Sequence, residues 1–215
     1  MNARRTLAEI AASLHPRDAG TKPESIWRNY EPLLAPLAQL PLNIIEVGAH
    51  NAVSIRTFAT YFEKSRIVGL DLSLPAIDLS AYPSIALFEC DQRDSAGINT
   101  ICERHMPGGI DIVIDDASHV GEYSLETYRA LFPHVKAGGL YVIEDWGTGY
   151  MPQWGDGSAL VDRGLHDRAA GYARRITSHD YGMVGFVKSL IDEVGAGAIR
   201  SLHVVGSFAA LTKGA

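Results

Sequence analysis

The sequence is poor in cysteine, with only Cys90 and Cys102 among its 215 residues. Two cysteines without a C-x-x-C spacing indicate neither a disulfide framework nor a structural zinc site, and they fit a reducing compartment. The chain also has no apolar run near the roughly 18 residues that a membrane span needs, and its first residues carry no signal-peptide core. We therefore expect a cytoplasmic protein that does not enter a membrane.

Positive charge is also scarce, because the formal net charge is -6 and the isoelectric point is near 5.7. Proteins that bind the phosphate backbone of nucleic acids usually present a basic face, so nucleic acid is not an expected partner. The chain is 47% hydrophobic, which is enough for one full core at this length.

Proline marks off the N-terminal part of the chain, since residues 15–41 contain five of the ten prolines. Proline breaks helices, so this stretch should form short helical pieces. We therefore divide the chain into an N-terminal helical or lid segment over 1–41 and a main domain over 42–215.

Short apolar runs alternate with helical stretches in the main domain, which is typical of a mostly parallel sheet covered on both faces. A helix is predicted at 181–195, and Gly206-Ser207 suits a tight turn between two final strands. The prediction is an α/β, doubly wound, Rossmann-like sheet of seven strands, mostly parallel, with a C-terminal antiparallel hairpin. The five predicted parallel strands are 43–48, 66–71, 85–90, 110–115 and 139–144.

Residues at the strand ends predict a nucleotide site, because ligands of open α/β sheets bind at the carboxyl ends of the strands. Gly48 follows the first strand, where a backbone must approach a ligand closely, and Glu46 is a polar residue inside that strand. Asp71 ends the second strand, where a carboxylate can bind both ribose hydroxyls. Asp91 and Gln92 follow the third strand, where an adenine edge would lie. The other candidate cofactor residues are Asn51, Ser54, Leu72 and Asp115.

The dinucleotide fingerprint G-x-G-x-x-G is absent, because His50 and Ala52 stand where glycines would be wanted. This argues against NAD or FAD and favours an adenosine ligand without a diphosphate, for which S-adenosylmethionine is the obvious candidate. Taken singly, Gly48 could be only a turn glycine and Asp71 only a helix cap.

Carboxylates also end the fourth and fifth strands: Asp115 and Asp116, followed by His119, and then Glu144 and Asp145. So much like charge at one rim is costly unless protons or a cation neutralise it. Oxygen donors with a single histidine suit a hard octahedral ion such as Mg²⁺. The alternative is that Asp116 caps the next helix and that Glu144 and Asp145 are solvated loop charges.

The motifs EVGAHNAVS, GLDLS, CDQRD, DIVIDDASHV and GGLYVIEDW resemble the class I S-adenosylmethionine methyltransferases, and among them the metal-dependent sugar O-methyltransferases of the macrocin and mycinamicin type. The most specific part is D-x-x-H followed by an E-D pair 28 and 29 residues after that aspartate. The resemblance implies that Asp116, Glu144 and Asp145 bind Mg²⁺ and that His119 is the general base. We place Asp115 as a support, near the cofactor or orienting His119.

The same resemblance covers part of the substrate side. TKPESIWRNYEP is similar to the family's N-terminal segment with an active-site tyrosine, here Tyr30, and YMPQWG is similar to its substrate-side loop. Trp146, Tyr150 and Trp154 are candidates for stacking on a sugar ring, although aromatics at this density also simply close a loop over a core. The family usually carries a glycine where this chain has Ala52.

The sequence thus predicts an S-adenosylmethionine- and Mg²⁺-dependent O-methyltransferase acting on a sugar hydroxyl of a glycosylated natural product or saccharide, with His119 taking the proton. The alternatives are an NAD(P)-dependent oxidoreductase on the same kind of sheet and a non-catalytic partner subunit that retains the fold. The resemblance also implies a homo-oligomer.

Overall fold

A computed structural model describes residues 4–14, 22–162, 166–167, 172–173 and 180–215. Its main feature is a seven-stranded sheet, and a separate two-stranded sheet lies between the fifth and eighth strands. The strands are β1 (Asn43–Val47), β2 (Arg66–Asp71), β3 (Ile85–Glu89), β4 (Ile110–Asp115), β5 (Val135–Glu144), β6 (His166–Asp167), β7 (Tyr172–Ala173), β8 (Ile199–Val204) and β9 (Phe208–Lys213).

The large sheet has the strand order β3-β2-β1-β4-β5-β9-β8. The first five strands are parallel, and β9 pairs antiparallel with both β5 and β8. The order reverses between β1 and β4, so the carboxyl ends of these two strands form the switch point where ligands of such sheets bind. The predicted doubly wound sheet with a terminal hairpin is confirmed.

Seven helices are found in the described residues, and they cover both faces of the sheet. They are α1 (Leu7–Leu14), α2 (Glu24–Leu34), α3 (Val53–Tyr61), α4 (Ser95–His105), α5 (Gly121–Leu131), α6 (Gly155–Asp162) and α7 (Gly182–Gly195). One core cluster joins α1, α2 and α3 to the sheet, and the other joins α4, α5 and α7 to its opposite face. Alternate residues of each central strand enter opposite clusters, which explains why these strands are mostly apolar.

The N-terminal helices belong to the main core. Leu7 of α1 and Trp27, Tyr30 and Leu34 of α2 are buried in the same cluster as Ile44 of β1. Pro32 lies inside α2, and a short 3-10 helix follows it at Ala35–Leu37, so the predicted short helical pieces are present. The part of the predicted segment at 15–21 lies outside the described residues.

The segment after β5 has more regular structure than its composition indicated. A 3-10 helix at Trp146–Tyr150 follows β5, and α6 comes next. Glycine allows this compaction, since a Cβ at Gly157 would lie 2.0 Å from the carbonyl oxygen of Met151. No helix in the described part of the chain is long and apolar enough to cross a membrane.

Candidate active site

A cavity of about 670 Å³ opens at the carboxyl edge of the sheet, at the switch point between β1 and β4. Ligand cavities usually have volumes of this order, about 300–1,000 Å³. Its lining includes most of the residues that the sequence predicted for the cofactor, the metal, the base and the substrate: Gly48, Asn51, Ser54, Asp71, Leu72, Gln92, Asp116, His119, Glu144, Asp145 and Trp154. Both predicted halves of the site therefore share one cavity.

Gly48 brings the backbone of the β1 loop against the β4 loop. Its φ is +93°, and a Cβ there would lie 2.2 Å from the carbonyl oxygen of Asp116. The Gly48 N–H donates to the carbonyl oxygen of Leu70 at 2.8 Å, which joins the loop to β2. No other residue type fits both the backbone conformation and this close approach.

The carboxylate of Asp71 organises the loop around it while lining the cavity. Its Oδ2 accepts the His50 backbone N–H at 2.7 Å, and its Oδ1 accepts the Ser73 N–H at 3.2 Å. Leu72 beside it is 67% exposed, so an apolar side chain borders the cavity with little cover of its own. Such an exposed apolar edge suits the face of a planar ring.

Three predicted cofactor residues lie outside the cavity lining: Glu46, Asp91 and Asp115. Both carboxylate oxygens of Glu46 accept the Ser54 hydroxyl, at 2.7 and 2.8 Å, so Glu46 supports the cavity wall through Ser54. Asp91 turns to Arg93, whose Nη2 lies 2.6 Å from its Oδ2, whereas the neighbouring Gln92 lines the cavity. Arg93 lowers the pKa of Asp91 to about 2 through these hydrogen bonds.

A buried lysine that sequence reasoning did not single out lies among the carboxylates. Lys22 Nζ lies 2.7 Å from Glu144 Oε1 and 3.6 Å from Glu46 Oε1, and it contacts Asp116 Oδ2 directly. Its side chain is 7% exposed. Burial alone would lower the pKa of Lys22, but Glu144, Asp116 and Glu46 outweigh burial and raise it, so the ammonium stays charged.

The carboxylates around Lys22 show the opposite effect. Burial raises the pKa of Glu46 to about 7 and also raises the pKa of Glu144, and the Lys22 ammonium opposes both shifts. The sequence argument that this much negative charge needs a cation thus finds one counter-ion already present in the chain. In the sequence, only the excess of carboxylates pointed to a buried cation, because the local sequence TKPE suggests a solvated lysine.

Tyr30 also links α2 to this cluster of carboxylates. Its hydroxyl donates to Glu144 Oε1 at 2.6 Å, and its ring packs against Phe208 of β9 with centroids 4.9 Å apart. Tyr30 is fully buried and lies outside the cavity lining. Its contact with the site therefore passes through Glu144.

Asp116, His119 and Asp145 form a group whose ligand atoms lie within 4.8 Å of one another. His119 Nε2 lies 3.8 Å from Asp145 Oδ2. His119 and Asp145 have φ values of +52° and +51°, a conformation that non-glycine residues rarely adopt and that clusters at functional sites. Two carboxylates beside one imidazole fit a hard divalent cation.

Asp115 does not join this group. Val113 of β4 enters the core beneath α5, and Asp115, two residues on, projects toward the same face and away from the cavity. Burial raises its pKa to about 7, against opposing effects of the Ser124 hydroxyl and the Ala117 backbone. His119 Nδ1 makes no hydrogen bond, so the idea that Asp115 orients His119 by direct contact finds no bond in the structure.

The three candidate substrate aromatics occupy different places. Trp154 lines the cavity and packs edge-on against His119, with ring centroids 5.2 Å apart. Trp146 donates its indole N–H to the Val205 carbonyl at 2.8 Å, and its ring meets Tyr150 at 6.2 Å, both outside the cavity lining. Of the three, Trp154 alone has a face available to a ligand in this cavity.

Asp156 is a further residue that the sequence did not single out. It is 3% exposed, and its Oδ2 accepts the backbone N–H of Gly121 at 2.8 Å and of Met183 at 2.7 Å. One carboxylate thereby caps the starts of α5 and α7. It also connects the segment carrying Trp154 to the helix that directly follows His119.

Known proteins are similar to this chain in sequence and in fold. The 8-demethyl-8-(2-methoxy-alpha-L-rhamnosyl)-tetracenomycin-C 3'-O-methyltransferase of Streptomyces olivaceus is 30% identical over 88% of this chain and 50% of its own length. Demethylmacrocin O-methyltransferase of Streptomyces fradiae is 37% identical over 66% of this chain and 31% of its own. The chain resembles the macrocin and mycinamicin sugar O-methyltransferases. It spans about half or less of the length of these relatives.

A solved structure is also similar to this chain: the MycE methyltransferase from the mycinamycin biosynthetic pathway, in complex with Mg and S-adenosylhomocysteine. The two structures superpose with a TM-score of 0.75 at 27% sequence identity. The match covers 99% of this chain and 55% of the MycE chain. No family model matches the chain. The sequence-based resemblance is therefore confirmed by relatives in both sequence and structure.

Proposed function

We propose that this chain is an S-adenosylmethionine- and Mg²⁺-dependent O-methyltransferase that acts on a sugar hydroxyl of a glycosylated natural product or saccharide. The observation that carries the proposal is that one cavity joins the strand-end residues Gly48 and Asp71 to the group formed by Asp116, His119 and Asp145. A methyl donor and an activated hydroxyl must meet, and this cavity has a side suited to each. The names of the relatives support the same chemistry.

On the cofactor side, Gly48 lets the backbone approach the donor and Asp71 is placed for the ribose hydroxyls. Gln92 and Leu72 border the position proposed for the adenine. Ser54 and Asn51 line the side toward the methionine portion, with Glu46 held behind Ser54. In this proposal Asp91 and Asp115 act indirectly, because neither side chain lines the cavity.

On the metal side, Asp116, Glu144 and Asp145 would hold the ion through carboxylate oxygens. When bound, S-adenosylmethionine supplies the methyl group, and Mg²⁺ supplies the positive charge that lowers the pKa of an acceptor hydroxyl. His119 would accept the hydroxyl proton at Nε2 as the acceptor oxygen takes the methyl group that the cofactor would supply. Asp145, 3.8 Å away, then stabilises the protonated imidazole.

The remaining aromatic and polar residues position these groups. Trp154 packs against His119 and offers its exposed face to the acceptor sugar. Tyr30 fixes one oxygen of Glu144 and leaves the other for the metal. Trp146 and Tyr150 support the same segment from the far side, next to the turn that joins β8 to β9.

Calorimetric titration tests the cofactor and metal assignments. The purified protein is titrated with S-adenosylhomocysteine and separately with NADH, each with Mg²⁺ and again after chelation by EDTA. We expect heat from S-adenosylhomocysteine and none from NADH. Binding of NADH, or of neither molecule, would contradict the proposal, and NADH binding would revive the oxidoreductase alternative.

A histidine variant tests the base, with rhamnosylated and other glycosides that carry vicinal hydroxyls as acceptors. His119→Ala should keep S-adenosylhomocysteine and Mg²⁺ binding and lose about 10²–10⁴-fold in kcat, which is the usual contribution of a general base. His203→Ala is the matched control, since His203 is an exposed residue of β8. If His119→Ala abolishes Mg²⁺ binding instead, then His119 is a ligand of the ion and not its base.

The homo-oligomer implied by the family resemblance stays a proposal. Size-exclusion chromatography with light scattering measures the mass in solution directly. A monomer of 23.3 kDa at assay concentration would contradict it.

A further inference from the structure

Lys22 occupies the gap between two carboxylates that the proposed function assigns to the metal. Its Nζ contacts both Asp116 Oδ2 and Glu144 Oε1, and Glu46 is its third carboxylate neighbour. Three carboxylates thus surround one ammonium within ion-pair distance. The lysine therefore neutralises part of the negative charge of this cluster.

A metal ion held by Asp116 and by the second oxygen of Glu144 would lie directly beside the Lys22 ammonium, which contacts both carboxylates. Mg²⁺ draws its oxygen ligands to about 2.0–2.1 Å, closer than any ammonium contact. Two cations in adjoining positions repel each other strongly when both are shielded from water. Lys22 and a divalent ion bound between Asp116 and Glu144 thus exclude one another.

The structure also contains a place for a displaced Lys22 side chain. A second cavity, of about 850 Å³, lies between α1 and α2, and Lys22 lines this cavity as well as the first one. The second cavity is lined by the carboxylate residues Glu9, Glu24 and Glu31 and by one further cation, Arg28. A Lys22 side chain that leaves the first cavity can therefore meet other carboxylates in the second.

We propose that Lys22 is an internal stand-in cation, which neutralises the carboxylate cluster when no metal is bound and moves into the acidic cavity between α1 and α2 when a divalent ion enters. This inference rests on the metal site of the proposed function. It makes Lys22 a positioning residue that sets the metal affinity. It also links metal occupancy to the N-terminal segment, because Lys22 lies just before α2.

Chemical labelling of Lys22 tests the displacement directly. The wild-type protein is treated with acetic anhydride with and without saturating Mg²⁺, and acetylation at each lysine is followed by mass spectrometry. We expect Lys22 to be protected without metal and to react with Mg²⁺ at a rate approaching that of Lys64, an exposed lysine that serves as the internal control. Calorimetry on the same sample reports whether Mg²⁺ binds.

The outcomes separate the inference from the proposed function. If Mg²⁺ binds and Lys22 stays protected, the displacement is wrong while the metal site stands. If Lys22 reacts freely without metal, its burial in the cluster is wrong. If no Mg²⁺ binds, both the metal dependence and the inference fall.

A variant gives a second, quantitative test. Lys22→Met keeps most of the length of the side chain and removes the competing charge, so Mg²⁺ should bind more tightly by roughly 5- to 150-fold, the usual range for two coupled sites. Lys64→Gln is the matched control, because Lys64 is an exposed cation that lines neither of the two cavities. Unchanged affinity in Lys22→Met, or an equal gain in Lys64→Gln, would overturn direct competition.

Discussion

Asp156→Ala should destabilise the fold by about 3 kcal/mol, because two charged hydrogen bonds of about 1.5–3 kcal/mol each are lost together and are not fully additive. The variant leaves the N–H groups of Gly121 and Met183 buried without an acceptor, at the starts of α5 and α7. For a chain of this size the loss corresponds to roughly 6–12 °C in melting temperature. Urea unfolding followed by circular dichroism measures it.

Two control variants should cost less than Asp156→Ala. Asp156→Asn keeps an acceptor oxygen and should cost about 1 kcal/mol, because only the charge is lost. Asp94→Ala removes an exposed helix cap that accepts a single N–H, from Gly97 at 3.0 Å, and should also cost about 1 kcal/mol. If Asp156→Ala costs no more than Asp94→Ala, then the double cap does not hold the two helix starts together and our reading of Asp156 is wrong.

Three further predictions concern the site. Gly48→Ala should abolish S-adenosylhomocysteine binding in calorimetry, since its Cβ would lie 2.2 Å from the Asp116 carbonyl oxygen; normal binding would refute the close approach. Asp115 has a folded pKa of about 7 against an ordinary 3.8, so its stabilising contribution is complete below about pH 4 and is lost as the pH rises through about 7. Asp115→Asn should flatten that part of the stability–pH curve measured by urea unfolding, and an unchanged slope would contradict it. Tyr30→Phe should cost about 1.5–3 kcal/mol in the same assay, because Glu144 loses a buried donor; a neutral result would mean that the bond contributes nothing.

The sheet and most of the cofactor side were predictable because their signals are local. A strand buried on both faces must be apolar along most of its length, and the strands found at 43–47, 66–71 and 110–115 are such runs. Since parallel strands end at one edge, Asp71, Asp116 and Asp145 had to lie near one another. The fifth strand starts at Val135, earlier than predicted. Its first residues are partly exposed and show no apolar pattern, so the sequence did not indicate them.

The placement of charge was not local and could not be predicted in the same way. Asp115 and Asp116 are adjacent in sequence, yet strand alternation sends the first into the core beneath α5 and leaves the second at the cavity. Which of the two faces carries the carboxylates Glu46 and Glu144 depends on how helices pack on the sheet. A pattern of residue types contains no such information.

By itself, the sequence determined a doubly wound sheet, its terminal hairpin, and a rim of carboxylates that requires a cation, because each follows from a short run of residues or from a charge count. Only the tertiary structure decided which cation lies nearest. Packing of α2 against the sheet brings Lys22 to Asp116 across 94 residues of sequence and Tyr30 to Glu144 across 114. Contacts at such separations arise from the burial of the whole helix face, so no local pattern encodes them.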